Sequence, residues 1–111
     1  MNSTTIKIWH AATSSDHPGR VESCCENWLD EEEVERANRF RKPTSRNQHV
    51  VGRGMARRLL SNPDFGPEQI RFGAEVHGKP FVSDPPQAKQ PFNIAHTDGL
   101  VLCGLATDRI D

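Results

Sequence analysis

Tyrosine is absent from this 111-residue chain, and five Phe and two Trp make up its aromatics. Binders of single-stranded nucleic acid stack bases on aromatic platforms along a basic groove, so this composition disfavours an oligonucleotide binder. Cysteine is scarce too, with three residues of which Cys24 and Cys25 are adjacent. That is no disulfide framework; it suits reduced thiols and predicts a cytoplasmic setting. Cys24 and Cys25 with His10 and His17 match no zinc-ligand spacing. No apolar run approaches the length of a membrane span, and the N-terminus lacks the apolar stretch of a signal peptide, so membranes are not expected as partners. A Gly-rich phosphate loop and a nucleophile elbow are both missing. Finally, no acid lies between Arg36 and Pro63, although the formal net charge is only −1.

That last gap marks a segregated charge pattern. Glu26, Asp30, Glu31, Glu32, Glu33 and Glu35 precede eight bases between Arg36 and Arg58. The length is that of one domain, and a hydrophobic content of 34% supplies one modest core.

The pattern of residues predicts an α+β fold with a small antiparallel or mixed sheet and about two packed helices. Thr5 to Trp9 alternates with β-branched residues, as a first strand does, and Ala11 to Arg20 reads as loop. A first helix is expected from Asp30, whose carboxylate can cap Glu33, with Val34, Ala37 and Phe40 on its apolar side and Pro43 as its stop. Ser45 is the expected cap of a longer helix ending near Asn62-Pro63, with Val51, Met55 and Leu59 as its core stripe. Ile70 to Val76 and Pro80 to Val82 read as strands joined by the turn His77-Gly78-Lys79. Ser83 to Pro91 reads as a surface loop. Phe92 to Ala95 alternates as a half-buried strand, Asp98-Gly99 turns the chain, and Leu100 to Ala106 is apolar on both faces like a strand buried in mid-sheet. His96 and Thr97 then fall at a strand tip beside the core, where ligand clefts commonly form.

On a helical wheel Arg46, Arg53 and Arg57 share the side opposite the core stripe, over roughly 16 Å of axis. Two readings stay open. The arginines pair with the preceding glutamates or face water, or their guanidinium forks meet a multiply charged anion together with His96. In the second reading the chain is either part of an enzyme or a non-catalytic module that docks an acidic protein. Glu31 to Glu33 are helix-start charges rather than catalytic carboxylates.

Taken in order, Glu35-Arg36-Ala37-Asn38-Arg39-Phe40, Arg46 with the run Gly52 to Leu60, His77-Gly78-Lys79-Pro80, and Phe92-Asn93-Ile94-Ala95-His96-Thr97 resemble the N-terminal half of the surfactin-synthetase-type 4′-phosphopantetheinyl transferases. The resemblance covers about residues 29 to 107. It implies one half of a pseudo-two-fold α/β fold, residues 1–111 forming the N-terminal half-domain. It also implies an enzyme that moves 4′-phosphopantetheine from coenzyme A to a serine of an acyl or peptidyl carrier protein. Carried over by residue, Lys79 and Pro80 border the adenine and phosphate end of coenzyme A. His96 and Thr97 hold phosphate oxygens, Arg46 meets the nucleotide, and Arg57 matches a commonly basic position. Ala95 replaces the first Ser of the family's S-H-S, and Glu33 stands where some members carry Lys. The family's magnesium motif G-(I/V)-D-(I/V)-E and its catalytic Glu and Lys are expected beyond Asp111, in a C-terminal half. Asp111 itself is not assigned as a magnesium ligand. No catalytic residue is therefore expected within this stretch, which alone should be inactive.

Overall fold

The computed structural model describes residues 2–110, with side chains over residues 5–106. Strand β1 (Asn2–Ala12) is followed by helices α1 (Arg20–Glu26), α2 (Glu31–Asn38) and α3 (Pro43–Leu60). Strands β2 (Arg71–Ala74), β3 (Pro80–Asp84), β4 (Phe92–Thr97) and β5 (Leu100–Ile110) complete the chain, with single 3-10 turns at Pro67–Gln69 and Pro86–Ala88. All pairings are antiparallel: one sheet runs β1-β5-β4 and a second is the hairpin β2-β3. The α+β class is as expected, with three helices where about two were anticipated.

β4 and β5 form where alternation and the Asp98-Gly99 turn place them, Gly99 supplying the positive φ of 73°. β5 is the central strand, and Val101, Cys103 and Leu105 on one of its faces are buried under the helices. Its other face differs from expectation. Leu102, Gly104 and Ala106 line an open apolar hollow of about 420 Å³ with Ile6 and Ile8, which are two-thirds exposed.

α2 starts as its sequence dictates: the Asp30 carboxylate accepts from the Glu33 amide at 2.9 Å, and the Glu33 side chain accepts from the Asp30 amide at 3.0 Å. Pro43 does not stop that helix, which ends at Asn38; it opens α3 at its first turn, where proline's fixed φ is pre-organised and its missing N–H costs nothing.

α3 is the spine of the fold, and neighbours surround it. Val50 and Val51 pack with Cys25, Ala37 and Val101, while Ala56 and Leu60 join Phe65, Ile70, Val82, Phe92 and Cys103. Each buried Val, Leu, Ile or Phe among them contributes roughly 1.5–3 kcal/mol. Gly54 lets α1 approach: a Cβ there would lie 2.4 Å from the Cys25 Cβ. Asn47 ties the helix to the segment before α1 by donating to the Ser14 and Asp16 carbonyls at 2.9 and 3.0 Å.

Candidate functional site

A cleft of about 340 Å³ opens where the N-terminal half of α3 passes the tip of β4 and the β2–β3 turn. That volume is on the scale of small-molecule sites. Ser45, Gln48, His49, Gly52 and Arg53 face it from α3, a spacing of three and four residues that keeps them on one stripe. Ile94 and His96, two apart on β4, face it from the sheet. Gly78 and Pro80 close one side, and Arg36 and Phe40 of the α2 end close another. Gly78 holds a φ of 86°, which shapes the turn that brings Pro80 to the rim. Gln48 fixes the strand tip by donating through Nε2 to the Thr97 carbonyl at 3.0 Å.

The wall carries two guanidiniums and two imidazoles, and among the described residues no carboxylate lines it. A smaller hollow of about 260 Å³ adjoins it through Arg36, His49 and Arg53, with Asp30, Glu32 and Glu33 on its far side. The Arg53 guanidinium lies 5.3 Å from the Phe72 ring centroid, and its nearest carboxylate, Glu33, stands at 3.8 Å. Burial lowers the pKa of Arg53, yet a guanidinium remains charged, so a largely buried cation borders the cleft with only a loose counter-ion. His49 donates through Nε2 to the Glu33 carbonyl at 3.2 Å and packs against Phe40, ring centroids 5.6 Å apart. Burial first, and then the positive charge of Arg53, Arg36 and Arg46, pushes its pKa down to about 4, so the ring is neutral near pH 7.

The expected row of three arginines does not converge on one anion. Arg57 is fully buried: its Nε donates to Glu33 Oε1 at 2.8 Å, and Nη1 to the Pro67 and Ile70 carbonyls at 2.9 and 2.6 Å. Nη2 reaches Asp30 at 3.2 Å and Glu33 at 2.6 Å. Arg57 is thus a bolt between α3, α2 and the segment before β2, and the structure places it outside the cleft that holds His96. Arg46 pairs with Glu26 across α1 and does not line the cleft that holds His96. Of the three, Arg53 lines that cleft. The reading in which the arginines pair with the preceding acids describes Arg46 and Arg57 directly, and Arg53 more loosely, at 3.8 Å from Glu33.

Of the other expected residues, Pro80 and His96 share the cleft. Lys79 is exposed on the far side of its turn, beside the apolar sheet hollow, and Thr97 is exposed just past His96. Arg36, Gln48 and His49 were not singled out from sequence. The helical stripe through Arg53 leads back to His49 and Ser45, and following it would have found two of the lining residues.

The family profile described as "4'-phosphopantetheinyl transferase, N-terminal" matches residues 18–108. The chain is 35% identical over 79 residues to the 4'-phosphopantetheinyl transferase HetI of Nostoc sp., covering 69% of this chain and 33% of that protein. It therefore spans about a third of the length of the curated relatives it matches. Its fold is similar to the holo-[acyl-carrier-protein] synthase of Helicobacter pylori solved in complex with coenzyme A, with a TM-score of 0.59, 12% identity, and 91% of this chain and 97% of that one covered. It is likewise similar to the holo-[acyl-carrier-protein] synthase of Neisseria meningitidis, with a TM-score of 0.54, 12% identity and coverage of 91% and 94%.

Proposed function

Because the chain belongs to the 4′-phosphopantetheinyl transferase family, through that family's N-terminal region, we propose that its cleft binds the nucleotide end of coenzyme A in an enzyme that loads carrier proteins. The single observation that carries the reading is the shared hollow of Arg53 and His96, rich in donors and free of lining carboxylates. Coenzyme A presents a diphosphate and a phosphate monoester, and each charge-assisted hydrogen bond to such groups is worth about 1.5–3 kcal/mol. Arg53 and Arg36 supply fixed positive charge, His96 a donor at the open strand tip, and Gly78 with Pro80 a rim for the base. Thr97 and Lys79 stand next to this rim and serve as outer contacts; Arg46 and Arg57 hold the helices that carry the cleft.

Residues 1–111 are read as the N-terminal half-domain, of the surfactin-synthetase subtype. The ordered motifs around Phe40, Lys79 and His96 support that reading, as does the greater length of the curated relatives. The acceptor is read as a serine of an acyl or peptidyl carrier protein, and the setting as cytoplasmic, in keeping with three free thiols. Magnesium belongs to the C-terminal half on this account. Among the described residues no group of three or more His, Cys, Asp or Glu could hold a metal ion, so no chemical step is assigned to them. Among the described residues, too, no helix is long and apolar enough to cross a membrane.

The test is calorimetric titration of coenzyme A into the full-length protein. Replacing Arg53 by Gln should weaken binding about tenfold or more, by loss of at least one charge-assisted bond. Arg46→Gln should leave it within a few-fold. Equal affinity of Arg53→Gln and wild type would remove the cleft from consideration.

A further inference from the structure

We infer that His49 takes up a proton when a phosphate-bearing ligand enters the cleft, so that anion binding there is coupled to protonation. This rests on the cleft being a phosphate site, as proposed above.

The ring of His49 is held by a hydrogen bond to α2. Nε2 lies 3.2 Å from the Glu33 carbonyl, an atom that can only accept, so Nε2 carries the hydrogen and Nδ1 keeps a lone pair. The charges that shift the ring are guanidiniums, although it also lines a hollow that carries three carboxylates. Arg36 comes from α2, Arg53 and Arg46 from its own helix, and His96 stands across the cleft on β4. The acids nearby are Asp30, Glu32 and Glu33 of the adjoining hollow; Arg57 holds Asp30 and the Oε1 of Glu33, while Glu33 Oε2 stands 3.8 Å from Arg53. A further positive charge on His49 is therefore resisted by burial and by three guanidiniums, which is what lowers its pKa to about 4. A phosphate dianion among the same groups reverses the sign of the local potential. The guanidiniums cannot respond, since they hold their charge at every accessible pH. The half-buried imidazole can, and a protonated Nδ1 then adds a charged donor to the phosphate. The His49 contribution to affinity accordingly rises as pH falls from neutrality, until the free ring also protonates near pH 4; protonation of the ligand's own phosphate at about pH 6 is common to wild type and variant and drops out of their difference.

The experiment is titration of coenzyme A into the full-length protein at pH 6 in two buffers of different ionisation enthalpy. The wild type should take up about half a proton or more per ligand than His49→Gln, which keeps an amide N–H for the Glu33 carbonyl but cannot titrate. His10→Gln, on β1 outside the cleft, should retain the uptake. Long-range proton–nitrogen spectra of the wild-type histidine rings give a second readout that needs no variant: His49 Nδ1 should change from a bare to a protonated nitrogen at saturation. Binding with the same buffer dependence in wild type and His49→Gln, or a His49 ring unchanged at saturation, overturns the inference alone. No binding in any buffer overturns the cleft assignment and this inference with it.

Discussion

Replacing Arg57 by Met should destabilise the protein by about 3–5 kcal/mol while leaving coenzyme A affinity within a few-fold. The magnitude follows from what the guanidinium satisfies. Glu33, whose side chain is 8% exposed, would lose two contacts, at 2.8 and 2.6 Å, and keep only the Asp30 amide and Arg53 at 3.8 Å. Breaking a buried ion pair by removing one partner costs about 3–5 kcal/mol, because the remaining charge is left without solvent or counter-ion. The Pro67 and Ile70 carbonyls lose their donor as well, at about 1–3 kcal/mol for a buried group left unsatisfied. These costs overlap and do not add, so about 3–5 kcal/mol stands for the whole site. The second variant separates charge from packing. Adding Glu33→Gln to Arg57→Met removes the stranded charge and should recover more than half of the loss. Arg57→Lys should recover less, since an ammonium cannot span Glu33 and two carbonyls as the fork does. The assay is urea denaturation of the full-length protein followed by the fluorescence of Trp9 and Trp28, with coenzyme A titration on each folded variant. An Arg57→Met protein within 1 kcal/mol of wild type that no longer bound coenzyme A would refute the reasoning and restore Arg57 as a ligand contact.

Two further outcomes bear on the fold and the cleft. Gly54→Ala should destabilise even though Ala favours helix by about 1 kcal/mol, because the new Cβ meets Cys25 Cβ at 2.4 Å and the Cys25 Cα at 2.9 Å. A gain in urea midpoint would show that α1 can move aside at no cost. His49 should make stability fall on acidification: its folded pKa of about 4 lies below the ordinary 6.5, so between those values the unfolded chain binds a proton that the native state does not. After discounting for the partly exposed ring, the wild type should lose about 1–2 kcal/mol more than His49→Gln between pH 6.5 and pH 4. Parallel stability curves for the two proteins would contradict the shift.

The parts of the fold legible in the sequence are those set by neighbours along the chain. The β4–β5 hairpin announces itself through alternation and Asp98-Gly99, and α2 through the reciprocal Asp30 and Glu33 caps. α1 escaped because it is short and held from outside. Its Glu22 is buried and, besides capping the Gly19 amide at 2.6 Å, accepts from the Ser14 amide at 3.4 Å, a loop contact that no periodicity reports. Pro43 was read as a stop for α2 when it starts α3, a choice that local sequence leaves balanced. The arginine row shows the same limit at the site. A wheel gives the direction of Arg46, Arg53 and Arg57 but not what stands there, and α3 is flanked by α1, α2 and the sheet. Arg46 meets Glu26, Arg57 meets Glu33, and Arg53, between them in sequence, borders the cleft. β5 carries the converse lesson. Its apolar residues identify a central strand, yet the side bearing Leu102 and Gly104 opens on the hollow beside Ile6 and Ile8.

The account stands most directly on where coenzyme A lies against this domain, and amide chemical-shift mapping of the full-length protein titrated with coenzyme A measures that. Perturbations are predicted at Arg36, Gln48, His49, Arg53, the Gly78–Pro80 turn and His96. Shifts gathered instead around Ile6, Ile8 and Leu102, or around Arg46 and Glu26 with the cleft unmoved, would contradict it.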